Sequence, residues 1–311
     1  MPLKRLTLSK LGKAEPKLTS DPEESKALKG GGVLEKYWLT YVGFAWFQFI
    51  AFEMGLTLDK HHSKNPLCPY SDRDYPIWFW YIVVACLGGF IMIWLALFFK
   101  IVTIAQSEQR TPLYVAINIV SMGTIATIIA LFDDPGVCID ILGVASPGPI
   151  WGEWIACGPL LIIITLSIVD KPEFSRLDWG LIITFWFCLV AGFFIVIPQN
   201  YAAGLFWFLV SCITYLPVLY LPFYKADVDP GVMNASNDDT SFKIVAARFA
   251  QRDNLSMWLT LVLPLYTVNY IIAMANGFGP AETIAIYQIL SVLTKGVSVA
   301  LFLLSPLFSL H

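Results

Sequence analysis

Eight stretches of about 20 predominantly apolar residues, near 37-57, 77-105, 111-132, 149-169, 178-198, 203-224, 255-275 and 283-308, leave this chain little choice of fold. A helix of about that length crosses the hydrocarbon core of a bilayer. The stretches are continuously apolar instead of alternating, which indicates helices, because a helix satisfies its own backbone polar groups where no water can. Only 14% of the 311 residues are charged and 57% are apolar, against roughly 25% charged in an average soluble domain. One water-soluble core cannot hide that excess. Tyr37, Trp38, Trp78, Tyr81, Trp151, Trp179 and Tyr224 stand at the ends of the stretches, where amphipathic rings seat at a membrane interface. The expected architecture is an all-α membrane protein of eight spans whose partner is the lipid bilayer, not nucleic acid.

Eight spans put both termini on one side, and the basic residues decide which. The first 36 residues hold eight Lys and Arg, and Lys100, Arg110, Lys171, Arg176, Lys225, Lys243, Arg248 and Arg252 fall on the same side. The opposite loops hold Lys60, Lys64 and Arg73. This positive-inside bias predicts an integral, plasma-membrane protein with cytoplasmic N- and C-termini. The N-terminus shows no short apolar stretch with a small-residue cleavage site, so the first span is expected to direct insertion itself.

One of the 20 basic residues belongs to neither side. Lys295 lies in YQILSVLTKGVSVALFLLSPLF, about eleven residues past the outer start of its stretch and so roughly 16 Å deep at helical rise. A cation there costs at least about 2.5 kcal/mol, so it marks a functional site and needs a partner. A desolvated amine is also a nucleophile suited to condensation with an aldehyde, and an imine keeps its proton only beside an anion. The embedded carboxylates are Glu53 and Glu153, with Glu282 at an outer edge. Glu153 is the better counterion: its stretch starts outside, as does that of Lys295, whose side chain leans back toward its helix N-terminus. A lysine paired for purely structural reasons is the bland alternative.

The segment EWIACGP, a carboxylate followed by Trp and six residues later by Pro, together with the lysine of the last span, resembles the microbial rhodopsins. The resemblance covers about residues 77 to 308. It implies that retinal, expected all-trans, forms a Schiff base with Lys295, that Glu153 is its counterion and that Trp154 lines the retinal. It places Cys157, Gly158 and Pro159 beside the polyene, likens Trp207 to the fifth-helix aromatic near the ionone ring, and likens Pro264 to the sixth-helix proline. It divides the chain into a disordered tail (1-35), an extra transmembrane helix (36-57) and a seven-span rhodopsin domain (76-308).

Departures from the family pattern narrow the reading. The second carboxylate one turn before the lysine is replaced by Ser291, the arginine before the counterion by Ile150, and the proton donor of pumps by Ile164. The sixth-helix tryptophan has no clear equivalent, Trp258 lying early and Thr260 or Leu261 at the expected place. These losses break a proton pathway and argue against pumping. The third span offers only Asn118 and scattered hydroxyls to a cation pore. An extra N-terminal helix with cytoplasmic termini is most similar to the eight-helix enzyme rhodopsins, in which light regulates a guanylyl cyclase or phosphodiesterase. The expectation is a photoreceptor whose output is such a cytoplasmic domain, not contained in this sequence, or a partner, with a homo- or heterodimer suiting that role. The chain as given is not itself expected to be an enzyme. A light-gated channel and a retinal-free transporter are the alternatives; in the latter Lys295 and Glu153 would bind a substrate or ion.

Smaller signals complete the reading. Cys68 and Cys138 fall in predicted outer loops, where a disulfide persists, and form a candidate pair. Cys86, Cys157, Cys188 and Cys212 read as apolar packing residues. His61, His62 and Asp59 read as solvated loop, and no metal site is expected. The segment SFKIVAARFAQRDN has apolar residues at helical spacing with basic residues between them, which predicts a cytoplasmic extension of the seventh span: a coupling arm or a helix resting on anionic lipid.

Overall fold

The computed structural model describes residues 33–62, 75–103, 107–132, 137–140, 142–168, 173–197, 200–223 and 239–303. Its long helices are α1 (Val33–His62), α2 (Ile77–Thr103), α3 (Ser107–Phe132), α4 (Gly148–Ser167), α5 (Arg176–Val196) and α6 (Tyr201–Leu219). They are followed by α7 (Asp239–Val262), α8 (Pro264–Met274), α9 (Pro280–Ser291), a π-helical turn (Val292–Val297) and α10 (Ser298–Leu303). Eight helical segments are long and apolar enough to cross a membrane, including Ala250–Met274 and Pro280–Ala300, which run through junctions between these helices. The expected helical extension of the seventh span is present, since α7 begins at Asp239 and runs into that span.

Helix α4 is the axis of the bundle, with 89% of its apolar window buried, and α3, α5 and α1 pack around it. Helices α2 to α6 follow one another around the bundle, and α9 closes it by packing on α2. The extra helix α1 docks from outside onto α3 and α4. Its aromatic residues make the joint: the Trp46 indole donates to Asn118 Oδ1 (2.8 Å), Trp38 stacks on Tyr114, and Phe52 meets Phe193 edge-on. Gly152 lets the helices approach, because a Cβ there would stand 2.5 Å from Glu53 Oε1. Glu53, the other embedded carboxylate, thus serves the α1–α4 joint.

Two breaks in regular helix shape the interior. Proline lacks an amide proton and clashes with the preceding turn, and Pro264 accordingly separates α7 from α8. The π turn interrupts the last span around Lys295, a kind of irregularity that concentrates at functional sites. Trp258 of α7 donates its indole N–H to the Leu293 carbonyl of that turn at 3.0 Å.

The loop after α3 folds back as a short antiparallel hairpin, β1 (Val137–Ile139) against β2 (Ala145–Pro147), pairing Cys138 with Ser146. The apolar run count gave no sign of it. Gly143, at φ +82°, makes its turn, a conformation open to glycine at little cost. Cys68 and the side chains of Cys138, His61 and His62 lie outside the described residues, as does the tail preceding Val33.

Candidate functional site

Lys295 is fully buried and Glu153 is 1% exposed. Helix α4 and the π turn bring them together, with Lys295 Nζ 2.6 Å from Glu153 Oε1. Ser291 sits one turn before the lysine, as its sequence position requires, and joins both partners. Lys295 Nζ donates to Ser291 Oγ (3.0 Å), and Ser291 Oγ donates to the Glu153 carboxylate (3.2 and 3.3 Å). A buried charge pair is stable only when its remaining hydrogen-bonding capacity is met, and here the Ser291 hydroxyl meets part of it on both sides. The Trp154 ring lies 4.2 Å from Lys295 Nζ, a cation–π contact. Gly123 of α3 makes room for the carboxylate, since a Cβ there would stand 2.7 Å from Glu153 Oε1.

Next to the pair lies an apolar cavity between α4, α5, α6, α8 and α9. Trp154 and Tyr266 form the wall nearest the lysine: their rings meet edge-on at 4.5 Å, and the Tyr266 hydroxyl is 3.2 Å from Thr294 Oγ1, one residue before Lys295. Phe185, Phe208, Tyr270 and Tyr287 are further parts of the wall. An apolar aldehyde suits this arrangement, because the amine sits against Trp154, a wall residue of an aromatic cavity, and its charged form is already balanced by Glu153.

The other residues singled out in the sequence take varied places. Trp154 lines the cavity. Cys157 turns toward α3, its sulfur 3.5 Å from that of Met122, so it does not reach the wall. Gly158 acts indirectly: a Cβ there would strike Leu189 and Phe185, both of which line the cavity. Pro159 lies inside α4 and Pro264 opens α8; neither is in the wall, which takes Leu263 instead of the latter. Trp207 stacks on Phe194 at 4.8 Å beside the hairpin cluster of Leu142 and Val144, and its neighbour Phe208 faces the cavity. One residue is about 100° of helical rotation, enough to exchange wall for packing. Leu261 is exposed, while Tyr266 occupies the space against Trp154. Ile150 lines the cavity and Ile164 is buried among apolar side chains. The inward polar residues of α4, Thr165 and Ser167, bond only to carbonyls of their own helix among the described residues.

Sequence reasoning missed Phe185, Phe208, Tyr266, Tyr270, Tyr287 and Asp140. The tyrosines carried a usable signal, being phenols within apolar stretches, but nothing in their spacing says which face turns inward. Asp140 stood in a loop, where a carboxylate is ordinarily solvated.

Solved structures with this architecture are microbial rhodopsins. A thermophilic rhodopsin from Rubrobacter xylanophilus superposes with a TM-score of 0.60 at 16% identity, over 72% of this chain and 93% of that one. A light-driven proton pump rhodopsin from Coccomyxa subellipsoidea gives 0.60 at 17%, over 75% and 98%. A halorhodopsin described as a light-driven chloride pump gives 0.58 at 14%, over 72% and 92%. No protein-family model and no curated protein sequence matches the chain. The chain has the microbial rhodopsin fold, built of apolar helices that place it in a bilayer.

Proposed function

We propose that this protein is a retinal-binding photoreceptor in which Lys295 carries the chromophore, Glu153 is the counterion and the helical bundle passes the change to a cytoplasmic output. The observation that carries the reading is the buried Lys295–Glu153 pair at 2.6 Å, with Lys295 Nζ over the ring of Trp154, a residue that walls an aromatic cavity. Bound retinal, expected all-trans, supplies a chromophore whose isomerisation moves charge at the lysine nitrogen. The protein's own residues then do three things. Glu153 holds or receives the proton of that nitrogen, Ser291 orients both groups, and Trp154 with Tyr266 keeps water from the pair.

Sensing is favoured by what surrounds the pair. Ile150 and Ile164 are apolar where a pump needs a cation and a proton donor, and Ser291 replaces a second carboxylate. The excess of basic residues on one side supports a plasma-membrane protein with both termini in the cytoplasm, and α1 docks against the counterion-bearing α4. This organisation fits an enzyme rhodopsin, with a guanylyl cyclase or phosphodiesterase, or a dimeric partner, as the output and the chain itself non-enzymatic. A light-driven pump is the second reading, favoured by the solved structures of like fold that are described as proton and chloride pumps.

The test is an absorption spectrum of the protein expressed with all-trans retinal, beside Lys295→Ala and Glu153→Gln. A visible band is expected that disappears in the first variant and shifts in the second. Absence of a band in folded wild-type protein sinks the reading. In a voltage-clamped cell the sensor gives no stationary photocurrent, a pump gives a steady outward or inward current, and a channel gives a current that reverses with voltage.

A further inference from the structure

Asp140, at the end of β1, is a second buried carboxylate that the proposed chemistry does not use. It is 5% exposed. Its contacts come from donors: the amides of Leu142 (2.9 Å) and Val144 (3.0 Å) on Oδ1, and the Tyr270 hydroxyl on Oδ2 at 2.5 Å. Acceptor-only bonding suits the ionised form. No described cation lies against it. Burial pushes its proton affinity above the ordinary carboxyl range, against the pull of Tyr270 and the turn amides.

This anion touches the chromophore cavity through its wall. Tyr270, its hydrogen-bond donor, lines the cavity and stacks on Phe208 at 5.3 Å. Tyr287, which also lines it, is within electrostatic reach of Asp140 and stacks on Tyr266 at 5.8 Å. Tyr266 in turn packs on Trp154, over which Lys295 Nζ sits. Among the described residues, Tyr270 from α8 and Tyr287 from α9 are the titratable groups that interact with Asp140. Apolar neighbours of the hairpin include Ile195 of α5, Phe208 of α6, and Phe79 of α2 with Ile284 of α9, and Tyr75 packs against the cluster that holds Ala145 of β2.

We propose that Asp140 is an acid-sensing residue of the retinal site: the charge on its carboxyl, presented to the cavity wall by Tyr270 and Tyr287, sets the pH of the acid transition of the chromophore's visible band. The inference rests on the retinal reading given above. A fixed negative charge across a low-dielectric cavity favours proton uptake on its other side, and acidification of the hairpin side removes that influence.

The experiment is a pH titration of the visible band of the all-trans-retinal protein in wild type, Asp140→Asn and Tyr270→Phe. Asp140→Asn removes the charge and keeps the shape, and is expected to move the acid transition to lower pH by about half a unit or more. Tyr270→Phe takes away the donor that favours the carboxylate, and is expected to move the transition in the same direction by less. In infrared titration, a protonated-carboxyl band that grows on acidification should be lost in Asp140→Asn and kept in Glu153→Gln. An acid transition unchanged in both variants overturns the inference while leaving retinal binding intact. If Asp140→Asn does not fold, Tyr270→Phe decides the matter by itself. A wild-type protein without a visible band overturns the retinal reading and this inference together.

Discussion

Helices α4 and α6 are comparably apolar, yet 89% of the apolar window of α4 is buried inside the protein against 11% for the span that contains α6. Both face hydrocarbon-like surroundings, one made of side chains and the other of lipid. The comparison separates two properties that hydropathy merges: the ability to leave water, which both share, and the need to fit neighbours on every side, which only α4 has. Glu153 lies on the helix with the second property. A carboxylate on the lipid-facing side of α6 would have neither a cation nor a hydroxyl to meet it.

The sharpest way to probe that contrast is to unbalance the centre. Glu153→Ala leaves Lys295 as a buried cation with no anion beside it among the described residues, and is expected to destabilise the apoprotein by about 3–5 kcal/mol, seen as a lower unfolding midpoint in detergent. Gly158→Val, also in α4, drives a side chain into Leu189 and Phe185; a loss of about 1–3 kcal/mol is expected by the same measurement, with weaker retinal uptake because both residues line the cavity. Ser211→Ala on the inner edge of α6 removes the hydroxyl that donates to the Cys188 carbonyl at 3.0 Å, for a loss of about 0.5–1.5 kcal/mol. Leu209→Ala on the exposed face of α6 should change the midpoint by no more than about 0.5 kcal/mol. If Leu209→Ala proves as damaging as Gly158→Val, the exposed face of α6 is covered by protein, and an oligomer interface replaces lipid there.

The same contrast explains what could be read in advance. Each of the eight apolar stretches corresponds to a helical segment long and apolar enough to cross a membrane, because length and continuous hydrophobicity are local properties and backbone self-satisfaction dictates the helix. Lys295 and Glu153 were legible because a charge inside an apolar stretch is costly wherever the stretch packs. Trp207 and Phe208 show the limit: both are aromatic, adjacent and equally at home in a span, and only the rotation of α6 about its axis turns Phe208 to the cavity and Trp207 to Phe194. Cys157 is a similar case, one helix face away from the wall that its neighbour Trp154 forms.

Asp140 and Tyr270 are 130 residues apart, and no local pattern connects a loop carboxylate with a phenol four spans later. By itself the sequence determined that this protein spans a bilayer as helices and that one lysine must meet one carboxylate inside it, because the cost of stranding polar groups in hydrocarbon admits few other solutions. Only the tertiary structure decided which tyrosines wall the cavity, that a hairpin buries a second anion against them, and that Ser291 completes the charge pair. Those outcomes depend on helix rotation and long-range closure, where many arrangements leave water equally well and only packing complementarity tells them apart.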